Sequence, residues 1–509
     1  MRRRLSFRRA YPFVVSVYLV LYLAAKNSAE WFHLRELLVP ILVSLGLAIF
    51  SWCTAALLTK DPDKRAFLAC VGVVLLAGYG YFAPKLLPDP SAGPIAPEVA
   101  ALALIGALGL YAITCTLMAP FSFARISDFL GTMAILLFTF AFVSLAVQRV
   151  GASRPHSPPL SIAFSSSGVR YPTIYLIILD KYTGARSLRE HYGFNNEPFE
   201  QALRSRGFFV PASSRANYVL TRLALPSLLN WEYLDSIARL VGPSSRNWIP
   251  LYAMAEDNRT VALLKQAGYE FVFFPTWYPP STGNRHADLQ FPEPGRIRSQ
   301  FQTVWLQRTA LSPLLAVACR RLACAVQWAP ESTSLLNWKF AQLGELAGST
   351  NARFVLAHLI VPHEPYVYHA DCSHRTPLPP TISREIAQAA YIEQIQCVNQ
   401  KLLSVVDRIL TESPVPPVIL LQSDHGHGQF GEGSLEISSA SKSQVRERSD
   451  IFAAYLVPGA SDTLFYDTIT PVNVLPAVLN TVLGTGFPRL PDRTYWSTLE
   501  EPYRLTVIP

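Results

Sequence analysis

The sequence predicts a bundle of five membrane-spanning helices followed by an α/β domain with a largely parallel central sheet flanked by helices. Three observations lead there. Of 509 residues, 50% are apolar and only 16% charged, well below the ~25% charged content of soluble chains. The apolar residues concentrate before residue 150 in long uncharged runs. After residue 170, short aliphatic runs alternate with helical patterns, as strands joined by crossover helices do.

The five runs cover residues 11–25, 37–59, 66–87, 97–118 and 130–147. A hydrocarbon layer about 30 Å thick needs roughly 20 helical residues, so the first run is short and needs Lys26 to snorkel or residues 27–32 to lie in the interface. Charges sit at the ends of each run, as lipid exposure requires. Arg2, Arg3, Arg4, Arg8 and Arg9 precede the first run, Lys60, Lys64 and Arg65 separate the second and third, and Arg125 precedes the fifth. That bias places the N-terminus in the cytoplasm. Five crossings then deliver the remainder to the opposite side of the membrane. A cleaved leader over residues 1–29 with four spans is the alternative.

Residues 1–150 hold 13 Lys/Arg and 7 Asp/Glu, and residues 151–509 hold 31 and 29. The basic balance therefore belongs to the membrane half and predicts no nucleic-acid partner. Residues 151–170, rich in Ser and Pro, read as a linker, and 171–509 as an extracytoplasmic globular domain. Within it, strands are expected at 174–179, 354–360, 418–421 and 452–457, and helices at 198–206, 259–267, 383–410 and 471–483. Beyond the membrane, Cys319, Cys324, Cys372 and Cys397 permit two bridges, preferably Cys319–Cys324 and Cys372–Cys397. No motif is readable in residues 281–350, where insertions would shape a substrate pocket, and oligomeric state carries no signal.

Three aliphatic runs end in residues that bind metals or phosphoryl groups. YLIILD ends in Asp180, VILLQSDHG in Asp424 and His425, and FVLAHLIVPH passes His358 and ends in His363. Ligands of open α/β sheets bind beyond the carboxyl ends of the strands, so adjacent parallel strands would bring these groups to one edge. Gly426 lets the chain turn away so that Asp424 and His425 both point inward. Thr221 lies ahead of an apolar pattern containing Pro226, which marks a helix start whose dipole favours an alkoxide and a phosphate. One divalent ion held by Asp180, Asp424 and His425 would lower the hydroxyl's pKa and polarise a phosphoryl oxygen. Carboxylates with imidazole suit Zn2+ or Mn2+. Each signal has a plainer reading when taken singly. Asp180 serves as a turn or cap, Thr221 as an N-cap, Asp424-His425-Gly426 as a turn, His363 as a surface histidine, and Arg446 and Arg448 as a solvated pair. Their order along the chain is what these readings leave unexplained.

That order, with YLIILDKYTG, NYVLTRLALPSLLNWEYL, DNRTVALLKQAGYEFVFF, AHLIVPHEPYVY, LQSDHGHG and ITPVNVLPAVLNTVLGTGFPRLPDRTYWS, resembles the sulfatase-like branch of the alkaline phosphatase superfamily. With five spans ahead of it, the chain looks like lipoteichoic acid synthases and lipid A phosphoethanolamine transferases. The resemblance implies Asp180, Thr221, Asp424 and His425 as metal ligands, Thr221 as nucleophile, and His363 as a phosphoryl contact or proton donor. His358, His427 and Arg448 are candidate substrate contacts, and His358, His369 and His427 candidates for a second metal. Two departures stand out. Lys181 occupies a position usually small in that branch, and Thr221-Arg222-Leu223-Ala224 lacks the C/S-x-P-x-R context of formylglycine sulfatases. The expectation is a metal-dependent phosphoryl-group transferase that uses a membrane lipid donor and a lipid-linked or glycan envelope acceptor. A hydrolase on the same site and a non-catalytic envelope-assembly protein are the rivals.

Overall fold

The computed structural model describes residues 9–508 apart from 29, 31–33, 87–96, 151–169, 292–298, 323–331, 377, 379–381 and 429–433. Nearly all of the expected linker, and Cys324 of the expected Cys319–Cys324 bridge, lie outside the described residues. The chain forms two compact units that do not follow it linearly: Met1–Ser153 groups with Ile297–Trp328, and Arg154–Arg296 with Ala329–Pro509.

The first unit contains helices Tyr11–Lys26, Leu38–Leu58, Pro62–Ala77, Tyr79–Leu86, Pro97–Met118 and Ala124–Val150. Among the described residues, Leu34–Leu58, Val99–Met118 and Ala124–Val147 are long and apolar enough to cross a bilayer. The first expected span is as short as its sequence indicates, and the third differs. The first has 16 residues, ~24 Å at 1.5 Å each. The third breaks at Gly78, whose φ of −101° and ψ of 3° leave the helix while its N–H still reaches Val74 O. Charged groups at the helix ends pair off. Arg9 forks onto Asp63 at 2.7 and 3.0 Å, Asp61 caps Pro62–Ala77, and Lys64 Nζ donates to Ala119 O at 2.9 Å, beyond the end of Pro97–Met118.

Residues 299–322, expected within the catalytic domain, join this unit. Helix Gln300–Gln307 starts from a Ser299 capping box and buries Phe301, Trp305 and Leu306 among Val20, Leu21, Leu23, Ala24, Leu37, Ala141 and Leu145. Helix Leu311–Leu322 follows and packs on Pro97–Met118. Between them, Gly80 N donates to Arg308 O at 2.8 Å and Ala310 N to Leu76 O at 2.7 Å, so this segment bonds to the backbone on either side of the Gly78 break.

The second unit is built on strands β1 (Ile174–Asp180), β2 (Glu270–Phe274), β3 (Leu289–Gln290), β4 (Arg353–Pro362), β5 (Val418–Ser423) and β6 (Ala453–Leu456), in the order β3-β2-β4-β1-β5-β6. All neighbours pair in parallel except β5 with β6. Every residue of β1 is buried, as a central parallel strand covered on both faces must be. Its side chains alternate between two cores. Tyr175, Ile177 and Leu179 join a cluster with helices Thr333–Glu345 and Arg384–Glu412, while Ile174, Leu176 and Ile178 join one with helices Thr221–Asn230, Arg259–Gln266 and Pro471–Leu483. Cys372 and Cys397 form a disulfide between the loop after β4 and helix Arg384–Glu412.

Ile177→Ala should cost about 2–5 kcal/mol through the cavity it leaves, read as a lower denaturation midpoint. Leu240→Ala, at a side chain 74% exposed, should leave the midpoint nearly unchanged.

Candidate metal centre and nucleophile

β4, β1 and β5 are adjacent and parallel, so their carboxyl ends share one edge. Ile178 lies opposite His358 in the β1–β4 register. Asp180 falls two residues on, hence on the same face as His358. The register shifts at Leu179/Asp180 so that Asp180 pairs with Pro362, and His363 N donates to Asp180 O at 3.1 Å. On the other side, Ser423 Oγ accepts from Tyr182 N at 3.0 Å and lies 2.9 Å from both Leu179 O and His425 O. This one hydroxyl ties the end of β1 to the turn after β5.

One ligand atom each from Asp180, His358 and Asp424 lies within 4.8 Å of the other two, and all three residues are buried. Asp180 Oδ1, Asp424 Oδ2 and His358 Nε2 have no hydrogen-bond partner. Asp424 Oδ1 accepts from Lys181 N at 3.1 Å and His425 N at 2.8 Å, which turns Oδ2 toward the cluster. His358 Nδ1 lies 2.8 Å from Ser281 Oγ, and with that nitrogen donating, Nε2 presents a lone pair 3.3 Å from Asp180 Oδ2. A lone pair facing a carboxylate oxygen repels it unless a proton or cation lies between. Two buried carboxylates with open oxygens, plus an imidazole, form a donor set that fits a divalent cation such as zinc or manganese.

Thr221 opens helix Thr221–Asn230 and is 5% exposed. Its Oγ1 lies 3.1 Å from His425 Nε2. His425 Nδ1 is 2.9 Å from the Gly426 carbonyl, to which it must donate, so Nε2 carries the lone pair and Thr221 is the donor. Nε2 also lies 3.5 Å from Asp424 Oδ2, so Thr221, His425 and Asp424 face one another. Gly426 is obligatory here: a Cβ would lie 2.0 Å from Glu447 O and 2.7 Å from Asp450 O.

Lys181 takes φ +62°, unusual for a side chain with a Cβ, held by its N–H on Asp424 and by Tyr391 OH on its carbonyl at 2.7 Å. Its ammonium points to Glu364, 3.1 Å away. Arg448 is buried rather than solvated, in contrast to half-buried Arg446, which pairs with Glu190. Arg448 Nε donates to Val219 O at 3.1 Å, two residues before the candidate nucleophile, and Gly428 makes room for it, since a Cβ there would lie 2.4 Å from Nη1. His363 stands at the edge with its side chain 18% exposed. His427 has both ring nitrogens engaged, Nδ1 by Tyr192 OH at 2.6 Å and Nε2 by Tyr366 OH at 3.1 Å, and stacks on Tyr391 at 4.0 Å. His369 pairs with Glu393 at 2.8 Å. Among residues that sequence reasoning passed over, Ser281 and Ser423 orient ligands, Glu364 neutralises Lys181, and Arg222 lies under Trp248 and Tyr278 at 4.9 and 5.3 Å.

Burial opposes ionisation of Asp180, but His363, then His358 and His425, outweigh it and hold the carboxyl below its ordinary value. Burial also lowers the pKa values of His425, Lys181 and Arg448 and takes His427 down to about 3. His425 and His427 are therefore neutral at pH 7, which suits metal ligation by the former. Burial raises Glu447, the acceptor of the Tyr192 hydroxyl, to about 7.

No family model and no curated protein matches the chain. Solved structures do. The zinc complex of the C-terminal periplasmic domain of EptC from Escherichia coli is 14% identical, with a TM-score of 0.46 over 69% of this chain and 96% of that one. The integral membrane lipooligosaccharide phosphoethanolamine transferase A from Neisseria meningitidis is 13% identical, with a TM-score of 0.44 over 93% and 95%. A 2-O GAG sulfatase, BT1596, is 14% identical, with a TM-score of 0.37 over 62% and 72%.

Purified protein is expected to carry zinc or manganese by elemental analysis, and Asp424→Asn to lose most of it. Because folded Glu447 keeps its proton to about 7 against an ordinary 4.5, its contribution to stability is complete below about 4.5 and is lost as pH rises through 7. Glu447→Gln should flatten that part of the stability–pH curve.

Proposed function

We propose that the chain is a metal-dependent phosphoryl-group transferase at the membrane surface, with Thr221 as nucleophile. The observation that carries this reading is the Thr221 hydroxyl at a helix N-terminus, 3.1 Å from His425 Nε2, which itself lies 3.5 Å from the open Oδ2 of buried Asp424. Asp180, Asp424 and His425 would hold the ion together with Thr221 Oγ, with His358 Nε2 as a further donor. An ion held there would lower the pKa of the Thr221 hydroxyl and would spread charge developing on phosphorus.

The chain's own residues do the rest. Thr221 Oγ, its proton lost to solvent, attacks the donor phosphorus in line, an O–P bond forms, and the P–O bond to the donor alcohol breaks. His363, at the exposed edge, protonates the leaving oxygen. The phosphothreonine then passes the group to an acceptor hydroxyl, which returns its proton to His363. The helix dipole and buried Arg448 favour the anion throughout. The absence of a C/S-x-P-x-R context at Thr221 favours phosphate over sulfate esters.

In this reading the helices cross the membrane in alternation, with the N-terminus cytoplasmic and residues 171–509 on the far side. One packing observation supports it. Residues 299–310 meet Val20–Ala24, Glu36 and Leu37, Leu76–Gly80, and Ala141 and Leu145, all of which lie at helix ends that this alternation puts on the far face. A lipid donor or lipid-linked acceptor would then share the plane of the anchor.

Full-length protein in nanodiscs containing head-group-labelled phospholipid should become labelled on Thr221 when quenched during turnover with zinc or manganese. Thr221→Ala should not label and should lose about three orders of magnitude or more in turnover, while retaining bound metal through the remaining ligands. Absence of label on a wild-type protein shown to contain metal would reject the transfer reaction. Turnover of nitrophenyl sulfate in preference to nitrophenyl phosphate would reject phosphate as the substrate.

A further inference from the structure

Residues 299–322 sit in sequence between two strands of the catalytic sheet, yet they group with the membrane unit. We propose that they form a membrane-inserted hairpin whose outer face, carried by Leu314 and Leu315, meets the acyl chains of the bilayer leaflet on the catalytic side. The inference does not depend on the reaction assigned above.

Four observations converge. First, helix Gln300–Gln307 buries Phe301, Trp305 and Leu306 against three helices of the bundle, so the segment is a built part of that unit. Second, the bonds Gly80 N to Arg308 O, Ala310 N to Leu76 O and Arg308 Nη1 to Gly80 O at 2.9 Å satisfy backbone groups beside the break at Gly78. Hydrocarbon offers those groups no water, so irregular backbone at membrane depth survives only when protein supplies the partners. Third, residues 309–319 contain no charge before Arg320 and Arg321. An uncharged stretch of this length, too short to span, with basic residues following, is the pattern of an interfacial or re-entrant helix. Fourth, this helix packs on Pro97–Met118, whose spanning window is only 11% buried by protein, and it leaves Leu314 45% and Leu315 38% exposed. Its uncovered leucines therefore continue a surface that the bundle already presents to lipid.

The test is lipid photo-crosslinking of the full-length protein in nanodiscs made with a phospholipid bearing a diazirine on its acyl chain, with adducts mapped by mass spectrometry. Peptides covering 311–319 should carry adducts at a yield similar to those covering Val99–Met118, and severalfold above the peptide containing Leu240, an exposed leucine of the catalytic unit. A Cβ on Gly80 would lie 2.6 Å from Arg308 Cα, so Gly80→Val should prise the hairpin off and lower its adducts severalfold while leaving those of Val99–Met118 in place. If 311–319 takes no lipid adduct in the wild-type protein while Val99–Met118 does, the proposal fails. It fails equally if these leucines crosslink instead to a second copy of the chain.

Discussion

Everything at the candidate site follows from two carboxylates that the sheet forces together underground. Adjacent parallel strands run about 4.8 Å apart, and β1 and β5 each run into an aspartate, Asp180 and Asp424, at the same edge. Both are shielded from water, where unpaired like charges are untenable. The fold does not relieve this by hydrogen bonding, since each keeps one oxygen open. It surrounds the pair with imidazoles and with backbone donors aimed at the other oxygen of Asp424. That pattern is the inverse of a structural ion pair, in which the partners neutralise one another and nothing is left to bind. Here the unsatisfied attraction is available for an added ion.

The same logic explains why the surroundings are so cationic without being crowded. Lys181 is spent on Glu364, which is itself held down to about 2 because Lys181, followed by His363 and His427, overcomes the burial that would raise it. Arg448 anchors the chain leading to Thr221. These charges bias the site toward anions while leaving the open oxygens of Asp180 and Asp424 uncovered. His427, boxed by tyrosines, has both nitrogens already committed.

Much of this was legible in the residues. Asp180, Asp424 and His425 lie at strand ends because long aliphatic runs make buried strands unmistakable, and Thr221 opens a helix as the Pro226 pattern requires. His358 was harder to rank. Only the pairing of β1 with β4 shows that it shares a face with Asp180, and register is not written in a single strand. Ser281 and Ser423 act through one hydroxyl each, a residue type too common to stand out. The solvated reading of Arg448 failed because a short charged helix looks alike whether its last turn meets water or packs inside the protein. Strand β2 hid behind a helical motif, and β3 has only two residues. The break in the third span is invisible in the sequence, since composition alone does not reveal one at a single glycine among apolar neighbours. The destination of residues 299–322 was illegible for the same reason that linear domain boundaries mislead: an apolar face states that it needs a partner without saying which.

That detour bears on how the globular half can be handled in isolation. A fragment beginning at residue 171 would carry Phe301, Trp305 and Leu306 with nothing to cover them, and an uncovered aromatic face of this kind promotes aggregation. Excising 297–328 and bridging the gap with a short polar loop would remove the liability while sparing every side chain around Asp180 and Asp424. The globular unit, in other words, is a stretch of chain with its middle taken out as well as its front.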